Sequence, residues 1–380
     1  MMSKLRALDN RRLGFLSGIG DRWHALPKPW RIAFGLAFVV FLFALPRINI
    51  PFFRTVETDF TTVLWTVAIY VLVAVGLNVV IGLAGLLDLG YIGFFAVGAY
   101  SVALFGSPQS VLATKYPWLV CVPIAIALTM LSGVLLGWPT LRVRGDYLAI
   151  VTLGFGELIR LIAEKGDALT NGPRGIAEIP YPPGKWPAGV NSEWTGLDMF
   201  GPVTSLGWYW LTLVLVIVCM WAARRIEHSR VGRAWLAIRE DEDAAEIMGV
   251  QAFRFKLWAF AIGAALGGLS GAIFAGKQNF MSSGSFELMT SILFVAMVVI
   301  GGSGNLAGVT LGAILVWYLP FKLQDFNITI DGERINFTEY RLLLFGLALI
   351  VIMTFRPQGL LPKRYRSSQP PAAAKEEVPV

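Results

Sequence analysis

Apolar stretches of bilayer length recur along this chain, and they restrict its fold more than any other feature. An apolar run of about 20 residues can cross the hydrocarbon core of a membrane as a helix. The chain has 380 residues and is 56% hydrophobic, and only 15% of it is charged, against about 25% in soluble domains. The alternating strands of about 10 residues that build a membrane barrel are absent from its pattern. The sequence therefore predicts an all-α, polytopic integral membrane protein.

About ten transmembrane helices are predicted, several of them short or interrupted by glycine. They cover residues 32–49, 60–80, 83–106, 118–138, 146–163, 206–223, 255–276, 288–303, 306–320 and 341–355. Together they form a transmembrane domain over residues 32–355. A basic N-terminal segment, residues 1–31, precedes this domain. The tail over residues 356–380 follows it, and we expect its Pro- and Ala-rich end to be disordered.

The distribution of Lys and Arg predicts the topology. Most of the 32 basic residues lie in four segments that the spans place on one side of the membrane: residues 1–31, 139–145, 224–256 and 356–380. Basic residues are retained on the cytoplasmic side, so we predict that both termini are cytoplasmic and that residues 164–205 form a periplasmic loop. The same rule explains the net charge of +7 without a nucleic-acid partner.

The cytoplasmic segment 224–256 is charged and yet has the pattern of a helix. Ser229 can cap a helix start, and Gly249 can end one in the left-handed conformation. Between them one apolar stripe is formed by Val231, Trp235, Ile238, Ala245 and Met248. Such a helix could rest on lipid. The acidic run from Glu240 to Asp243 would be repelled by anionic headgroups, which favours a surface on which a partner protein docks.

Two other segments contain polar groups inside predicted spans. The first, from Gly82 to Tyr100, alternates glycines with aromatic residues and contains Asp88. This carboxylate lies either on a substrate path or near the membrane surface, and the sequence leaves both possibilities open. The second contains Glu157 and Arg160, which are three residues apart and can pair on one helix face. That pair faces a pathway or, as we slightly favour, locks two helices at the outer boundary.

No catalytic, nucleotide or metal site is predicted. The glycine-rich turn from Gly301 to Asn305 is not a phosphate loop, because no Gly-Lys-Ser/Thr follows it. The two histidines, His24 and His228, form no cluster with Cys or Asp residues. The chain is therefore expected to be a transport subunit, not an enzyme, and to bind no cofactor of its own. Residues 79–85 and 298–304 are similar in sequence, which indicates an internal repeat or a chance match between apolar strings.

Several long motifs resemble the inner-membrane permeases of branched-chain amino acid ABC transporters, specifically their LivM-like branch. The matching strings are GLLDLGYIGFFAVGAY at 85–100, LRVRGDYLAIVTLGFGELIR at 141–160, TNGPRGI at 170–176, GRAWLAIREDE at 232–242 and RPQGLLP at 356–362. They recur in the family's order and cover about residues 60–362. Residues 1–59 lie outside the strongest matches.

The resemblance implies a multi-pass subunit of the bacterial inner membrane that imports branched-chain amino acids. Its implied partners are a second, LivH-like permease, two cytoplasmic ATPases that use the ATP, and a periplasmic amino-acid-binding protein. It also implies that residues 232–249 couple the chain to an ATPase. The residues expected to take part in coupling are Gly232, Arg233, Trp235, Arg239, Glu240, Asp241, Glu246 and Gly249.

The resemblance also suggests which residues line the translocation pathway. These are expected to be Gly85, Asp88, Tyr91, Phe94, Phe95, Tyr147, Thr152, Gly154 and Glu157. An alternative within the same architecture is a permease for urea or short-chain amides. A more distant alternative is an ion-coupled secondary transporter, which would need embedded carboxylates, and for these Asp88 and Glu157 are the candidates.

Overall fold

The computed structural model describes residues 27–48, 59–141, 146–183, 199–324, 327–330, 333–336, 341–355 and 359–361. Most of the basic N-terminal segment and of the C-terminal tail lies outside these residues. The chain divides into two units, residues 1–54 and 55–380. In the first unit, helix α1 (Lys28–Ala44) leads into one 3₁₀ turn (Leu45–Arg47). Large apolar side chains such as Trp30, Phe34 and Phe38 are exposed along it.

The second unit consists mainly of helices. They are α2 (Phe60–Leu77), α3 (Tyr91–Gly106), α4 (Trp118–Thr140), α5 (Asp146–Lys165), α6 (Asp167–Thr170), α7 (Leu206–Glu227), α8 (Arg230–Glu240), α9 (Glu242–Ile247), α10 (Ala252–Gln278), α11 (Leu288–Gly301), α12 (Leu306–Gln324) and α13 (Arg341–Phe355). Two antiparallel strand pairs accompany them. Strand β1 (Ile176–Ala177) pairs with β2 (Phe280–Met281), and β3 (Asn327–Ile330) pairs with β4 (Glu333–Asn336).

Helix α2 lies at the centre of this unit. Asp59 caps its start, because Oδ2 of Asp59 accepts a hydrogen bond from the Thr62 backbone N–H at 3.1 Å. Nearly every residue from Ala68 to Leu77 is buried, and the helix packs against α7, α10, α11 and α12. A helix that is apolar all round is typical of a buried or membrane-embedded position.

Helices α3 and α10 approach each other closely at two glycines. A Cβ atom added to Gly98 would lie 2.5 Å from Cα of Gly268 and 2.7 Å from its carbonyl carbon. Small residues at such crossings let two helix backbones pack directly against each other in membranes. The crossing therefore fixes α3 on α10, and α4 packs against both helices.

A helix is present at each of the ten predicted spans, and the all-α class is confirmed. Five helices are long and apolar enough to cross a membrane: Phe60–Leu83, Trp118–Thr140, Leu206–Glu227, Ala252–Gln278 and Ser283–Gly301. Shorter apolar helices lie at Ala33–Arg47, Tyr91–Gly106 and Leu306–Lys322. The chain is accordingly a multi-pass membrane protein.

The start of the third predicted span, at residue 83, is wrong. Helix α2 continues through a π-helical turn (Asn78–Leu83), residues 84–90 are not helical, and α3 begins only at Tyr91. Gly85 has φ +73°, a left-handed conformation in which the right-handed helix cannot continue. We call residues 84–90 the unwound segment. This segment separates α2 from α3, in a region where the apolar pattern alone predicts membrane helices.

The stretch that follows α5 folds back onto the helical body. Helix α6 and a 3₁₀ turn (Gly172–Arg174) lead to β1, which pairs with β2 directly after α10. Ser107, just after α3, donates a hydrogen bond of 2.5 Å from its hydroxyl to the carbonyl of Ala177. Residues 184–198 of the predicted periplasmic loop lie outside the described residues.

Candidate functional site

The charged segment between α7 and α10 contains two short helices instead of the single helix that the sequence predicts. Ser229 caps α8 as predicted, with its hydroxyl 3.4 Å from the Gly232 backbone N–H, and Gly249 adopts φ +88°. The chain breaks at Asp241, where φ is −157° and ψ is 110°. The Asp241 carboxylate then accepts a hydrogen bond from the Ala244 N–H at 3.0 Å and caps α9. The sequence predicted one continuous helix through Asp241, so this capping role was not expected.

A small apolar core fixes α8 and α9 to the start of α10. Trp235 is fully buried, and its indole N–H donates to the Phe255 carbonyl at 2.7 Å. Ile238, Ala245 and Ala252 form a buried cluster at the junction of the three helices. An ion pair of 2.5 Å between Lys256 and Glu242 joins α10 to α9. These contacts hold α8, α9 and the start of α10 together as one packed unit, and we call α8 and α9 the projection.

The ion pair leads to a prediction about stability. The Lys256 side chain is 9% exposed and that of Glu242 is 29% exposed. Glu242→Ala leaves the lysine charge nearly buried without its carboxylate, so we expect a loss of about 1–3 kcal/mol in the free energy of unfolding. Lys256→Met, which removes the buried charge and keeps the bulk, should lose less. Thermal unfolding in detergent measures both, and a larger loss in Lys256→Met would contradict the assignment.

The tip of this projection is apolar and faces away from the protein. Ile247 is 87% exposed and Met248 is 83% exposed. Met248 therefore does not share the environment of the other stripe residues Trp235, Ile238 and Ala245, which are buried. Exposed acidic side chains surround the tip: Glu240, Asp241, Asp243 and Glu246. We call Ile247 and Met248 with these four acidic residues the docking tip.

The basic residues predicted for coupling lie in different environments. Arg233 is exposed and donates a hydrogen bond to the His228 carbonyl at 3.1 Å. Arg239 is half-buried and reaches into the membrane body, where its guanidinium donates to the Gly82 carbonyl and lies 3.4 Å from the Ser303 hydroxyl. Gly232 is buried where α8 begins against the end of α7. Arg239 thus contacts residues of the transmembrane helices' connecting turns and not only its own segment.

The unwound segment is bound to two neighbouring helices through its backbone. Thr152 on α5 accepts a hydrogen bond from the Leu89 N–H at 3.1 Å, and Ser291 on α11 donates to the Leu89 carbonyl at 2.5 Å. Asp88 is fully buried, and its Oδ1 accepts from the Gly90 N–H at 2.9 Å. Its Oδ2 has no hydrogen-bond partner among the described residues. Asp88 therefore lies inside the protein.

Three aromatic residues predicted for the pathway are packed between helices. Tyr91 donates a hydrogen bond to the Gly263 carbonyl on α10 at 2.8 Å. The ring of Phe94 lies 5.1 Å from that of Phe155, and the ring of Phe95 lies 5.2 Å from that of Phe274. All three predicted residues are at most 2% exposed. In this conformation they join α3 to α5 and α10 and line no open channel.

The outward face of α5 contains the remaining predicted residues. Tyr147 is 68% exposed, and Gly154 faces open space, with nothing within 4 Å of an added Cβ atom. Arg160 bonds Glu157 through two nitrogen atoms, at 2.9 and 2.5 Å, and Glu164 at 2.9 Å. We call Glu157, Arg160 and Glu164 the charged triad. All three belong to α5, and these ion pairs join residues of that one helix.

The structure thus separates the predicted residues into three groups: a buried cluster around the unwound segment, the outward face of α5, and the α8–α9 segment. Three residues with such contacts were not predicted from the sequence: Ser291, Lys256 and Glu164. The spacing of four residues between Arg160 and Glu164 was a signal that could have found the last of these. Ser291 is distant in sequence from Leu89, and its contact depends on the packing of α11. Among the described residues, no group of three His, Cys, Asp or Glu side chains could hold a metal ion.

Comparison with known proteins gives consistent matches. A family model described as branched-chain amino acid transport system / permease component matches residues 60–353. The high-affinity branched-chain amino acid transport system permease protein LivM of Salmonella typhimurium is 38% identical over 85% of this chain and 75% of its own length. LivM of Escherichia coli is 40% identical over 77% and 68%. The corresponding LivH of Escherichia coli is 21% identical over 77% and 91%. No solved structure was found to match.

Proposed function

Because the chain belongs to the family of branched-chain amino acid transport permease components, we propose that it is driven by a separate cytoplasmic ATPase that docks on α8 and α9. The docking tip carries this proposal. Two large apolar side chains exposed to water on a rigid, capped projection are typical of a protein interface, where apolar anchors lie inside a polar rim. A membrane permease whose apolar tip binds in a groove on an ATPase can be moved by that ATPase without a nucleotide site of its own.

The proposed topology places the docking tip in the cytoplasm. Both termini then lie on the same side, and residues 164–205 lie in the periplasm, as the distribution of Lys and Arg favours. In this arrangement the helices at the predicted spans cross the bacterial inner membrane. The β1–β2 pair and the 3₁₀ turn before it lie at the outer surface, where a periplasmic amino-acid-binding protein delivers the substrate.

A second permease covers the outward face of α5 in this proposal. The side chains of the charged triad are between 26% and 35% exposed. A charged group that faces lipid at the membrane centre costs about 2.5–3.5 kcal/mol, so such groups usually face protein or a water-filled path. A groove of about 570 Å³ between α4 and α5, lined by Leu135, Val151 and Phe155 among others, continues the same face. A LivH-like chain, itself a relative of this one, fits this position.

The pathway then runs between the two permeases along α5. Tyr147, Gly154 and Glu157 line its wall, while Gly85, Asp88 and Thr152 form a hinge behind it. Tyr91, Phe94 and Phe95 keep that hinge packed on α10. ATP binding closes the ATPase pair and moves α8 and α9, because ATP binds the two arrangements with different affinity. Hydrolysis of the ATP then resets the complex and makes the cycle directional. Because the relatives carry names of branched-chain amino acid permeases, the amide alternative has less support.

Co-purification and transport test this proposal. The chain is co-expressed with candidate ATPases and a LivH-like permease, purified through a tag on this chain, and reconstituted in vesicles with a binding protein and labelled leucine. We expect the ATPases to elute with the chain and leucine uptake to need ATP. Uptake of urea or short-chain amides in preference to leucine would favour the amide alternative. Uptake driven by a proton or sodium gradient without any ATPase would overturn the proposal.

A further inference from the structure

One side chain on α8 enters the membrane body and contacts two separate glycine-rich turns. This side chain is Arg239, which follows the buried Ile238 near the end of α8. Its guanidinium donates to the carbonyl of Gly82, at the end of the π-helical turn after α2. The same group lies 3.4 Å from the hydroxyl of Ser303, in the turn between α11 and α12. Arg239 therefore joins the proposed ATPase-docking segment to both turns.

The position of Arg239 depends on a glycine. A Cβ atom added to Gly85 would lie 2.6 Å from Cγ and 3.1 Å from Cβ of Arg239. The φ of +73° at Gly85 also disfavours any side chain there. The aliphatic part of Arg239 thus lies directly on the backbone of the unwound segment, and a movement of α8 is transmitted there by contact.

The two turns also contact each other next to Arg239. The Asn78 side-chain oxygen accepts a hydrogen bond from the Gly304 N–H at 2.8 Å. A Cβ atom on Gly82 would lie 2.5 Å from the Gly304 nitrogen. These turns belong to the two similar strings, residues 79–85 and 298–304. The resemblance in sequence therefore corresponds to two glycine turns that lie against each other beside one arginine.

A series of contacts connects Arg239 to the helices of the proposed pathway. The unwound segment that begins beside Gly85 ends at Gly90, and its Leu89 bonds to Thr152 on α5 and Ser291 on α11. A Cβ atom at Gly90 would overlap the Thr152 carbonyl, so the backbones touch there as well. A chain of direct contacts thus connects α8, the unwound segment and α5.

We propose that Arg239 is a positioning residue that couples movement of the ATPase-docking helices to the pathway by holding the two glycine turns together. The inference rests on the proposed function, since it needs an ATPase that moves α8. It separates two tasks within one segment: the docking tip binds the ATPase, and Arg239 transmits the movement. The guanidinium suits this role because its planar donor set can bond two acceptors at once.

The test uses the reconstituted complex with a binding protein, and it measures bound ATPase, ATP hydrolysis and leucine uptake in the same preparation. Arg239→Gln removes the charge and the double contact. We expect the ATPase to remain bound, hydrolysis to persist, and leucine transported per ATP hydrolysed to fall by about tenfold or more, as lost hydrogen bonds to a charged group imply. Arg239→Lys keeps the charge but loses the planar guanidinium that bonds two acceptors at once. The ratio of leucine transported to ATP hydrolysed should therefore be intermediate. Arg254→Gln, at an exposed arginine of the same cytoplasmic segment, is the matched control and should keep the wild-type ratio.

The possible outcomes are distinct. A wild-type ratio of transport to hydrolysis in Arg239→Gln overturns the inference, and so does loss of the ATPase from that complex, which would make Arg239 a docking residue. If Arg239→Gln does not insert in the membrane, the ratio in Arg239→Lys decides, and a wild-type value there overturns the inference. Absence of an ATPase from the wild-type complex would instead reject the proposed function.

Discussion

Replacing both Ile247 and Met248 with aspartate is expected to release the ATPase from the complex and to abolish ATP-dependent uptake. Each side chain is more than four-fifths exposed, so the membrane body does not need either for its own packing. Burying such a side chain in an interface contributes about 1.5–3 kcal/mol. Loss of both anchors therefore weakens ATPase binding by about a thousandfold. The added negative charges, next to Glu246, would further oppose an acidic or apolar groove.

The measurement is the amount of ATPase that elutes with the tagged chain, followed by uptake in vesicles. Val203→Asp serves as the control, because Val203 is 91% exposed and lies on the proposed opposite side of the membrane. That variant should retain the ATPase at the wild-type level. Retention of the ATPase by the double aspartate variant would show that the docking tip is not the interface.

The second large effect is expected at the crossing of α3 and α10. Gly98→Leu places a side chain where the Gly268 backbone lies, and the nearest three atoms that a Cβ would meet all belong to that backbone. No rotamer change relieves such an overlap, so the two helices must separate. Overpacking of this kind costs about 1–3 kcal/mol, occasionally more, and here it also opens the contact between the proposed hinge and α10.

We expect Gly98→Leu to yield little monodisperse protein in detergent, as measured by fluorescence-detected size-exclusion chromatography. Gly346→Ala on α13 is the matched control, since nothing lies within 4 Å of an added Cβ atom there. Replacing an unconstrained helical glycine with alanine is neutral or stabilising. A wild-type elution profile for Gly98→Leu would contradict the packing of α3 on α10.

The sequence predicted the helices well because their signal is local. Apolar runs place a helix at every expected span, and the caps at Ser229 and Gly249 follow from single residue types. The break at Asp241 was missed because a helical stripe can be drawn through it. Only the capping bond to Ala244 shows that the acidic run begins a new helix.

The candidate site was less predictable because its contacts join residues far apart in the sequence. Arg239 was predicted to take part in ATPase coupling, yet its partners, Gly82 and Ser303, come from two distant turns. Similarly, the burial of Asp88 depends on where the helix unwinds. Glycine content indicated that a break was possible in this region, but the break itself depends on the left-handed backbone at Gly85. The two glycine-rich strings, residues 79–85 and 298–304, therefore indicated the regions that matter, but they did not show that these regions contact each other.

We propose that the energy for transport enters this permease from a separate ATPase through α8 and α9. The most direct test of this proposal is leucine accumulation in vesicles that contain the complete complex and a binding protein, with and without ATP and with all ion gradients collapsed. We expect accumulation against the leucine gradient only when ATP and the ATPase are both present. Accumulation by the permease alone, driven by an imposed proton or sodium gradient, would contradict the account.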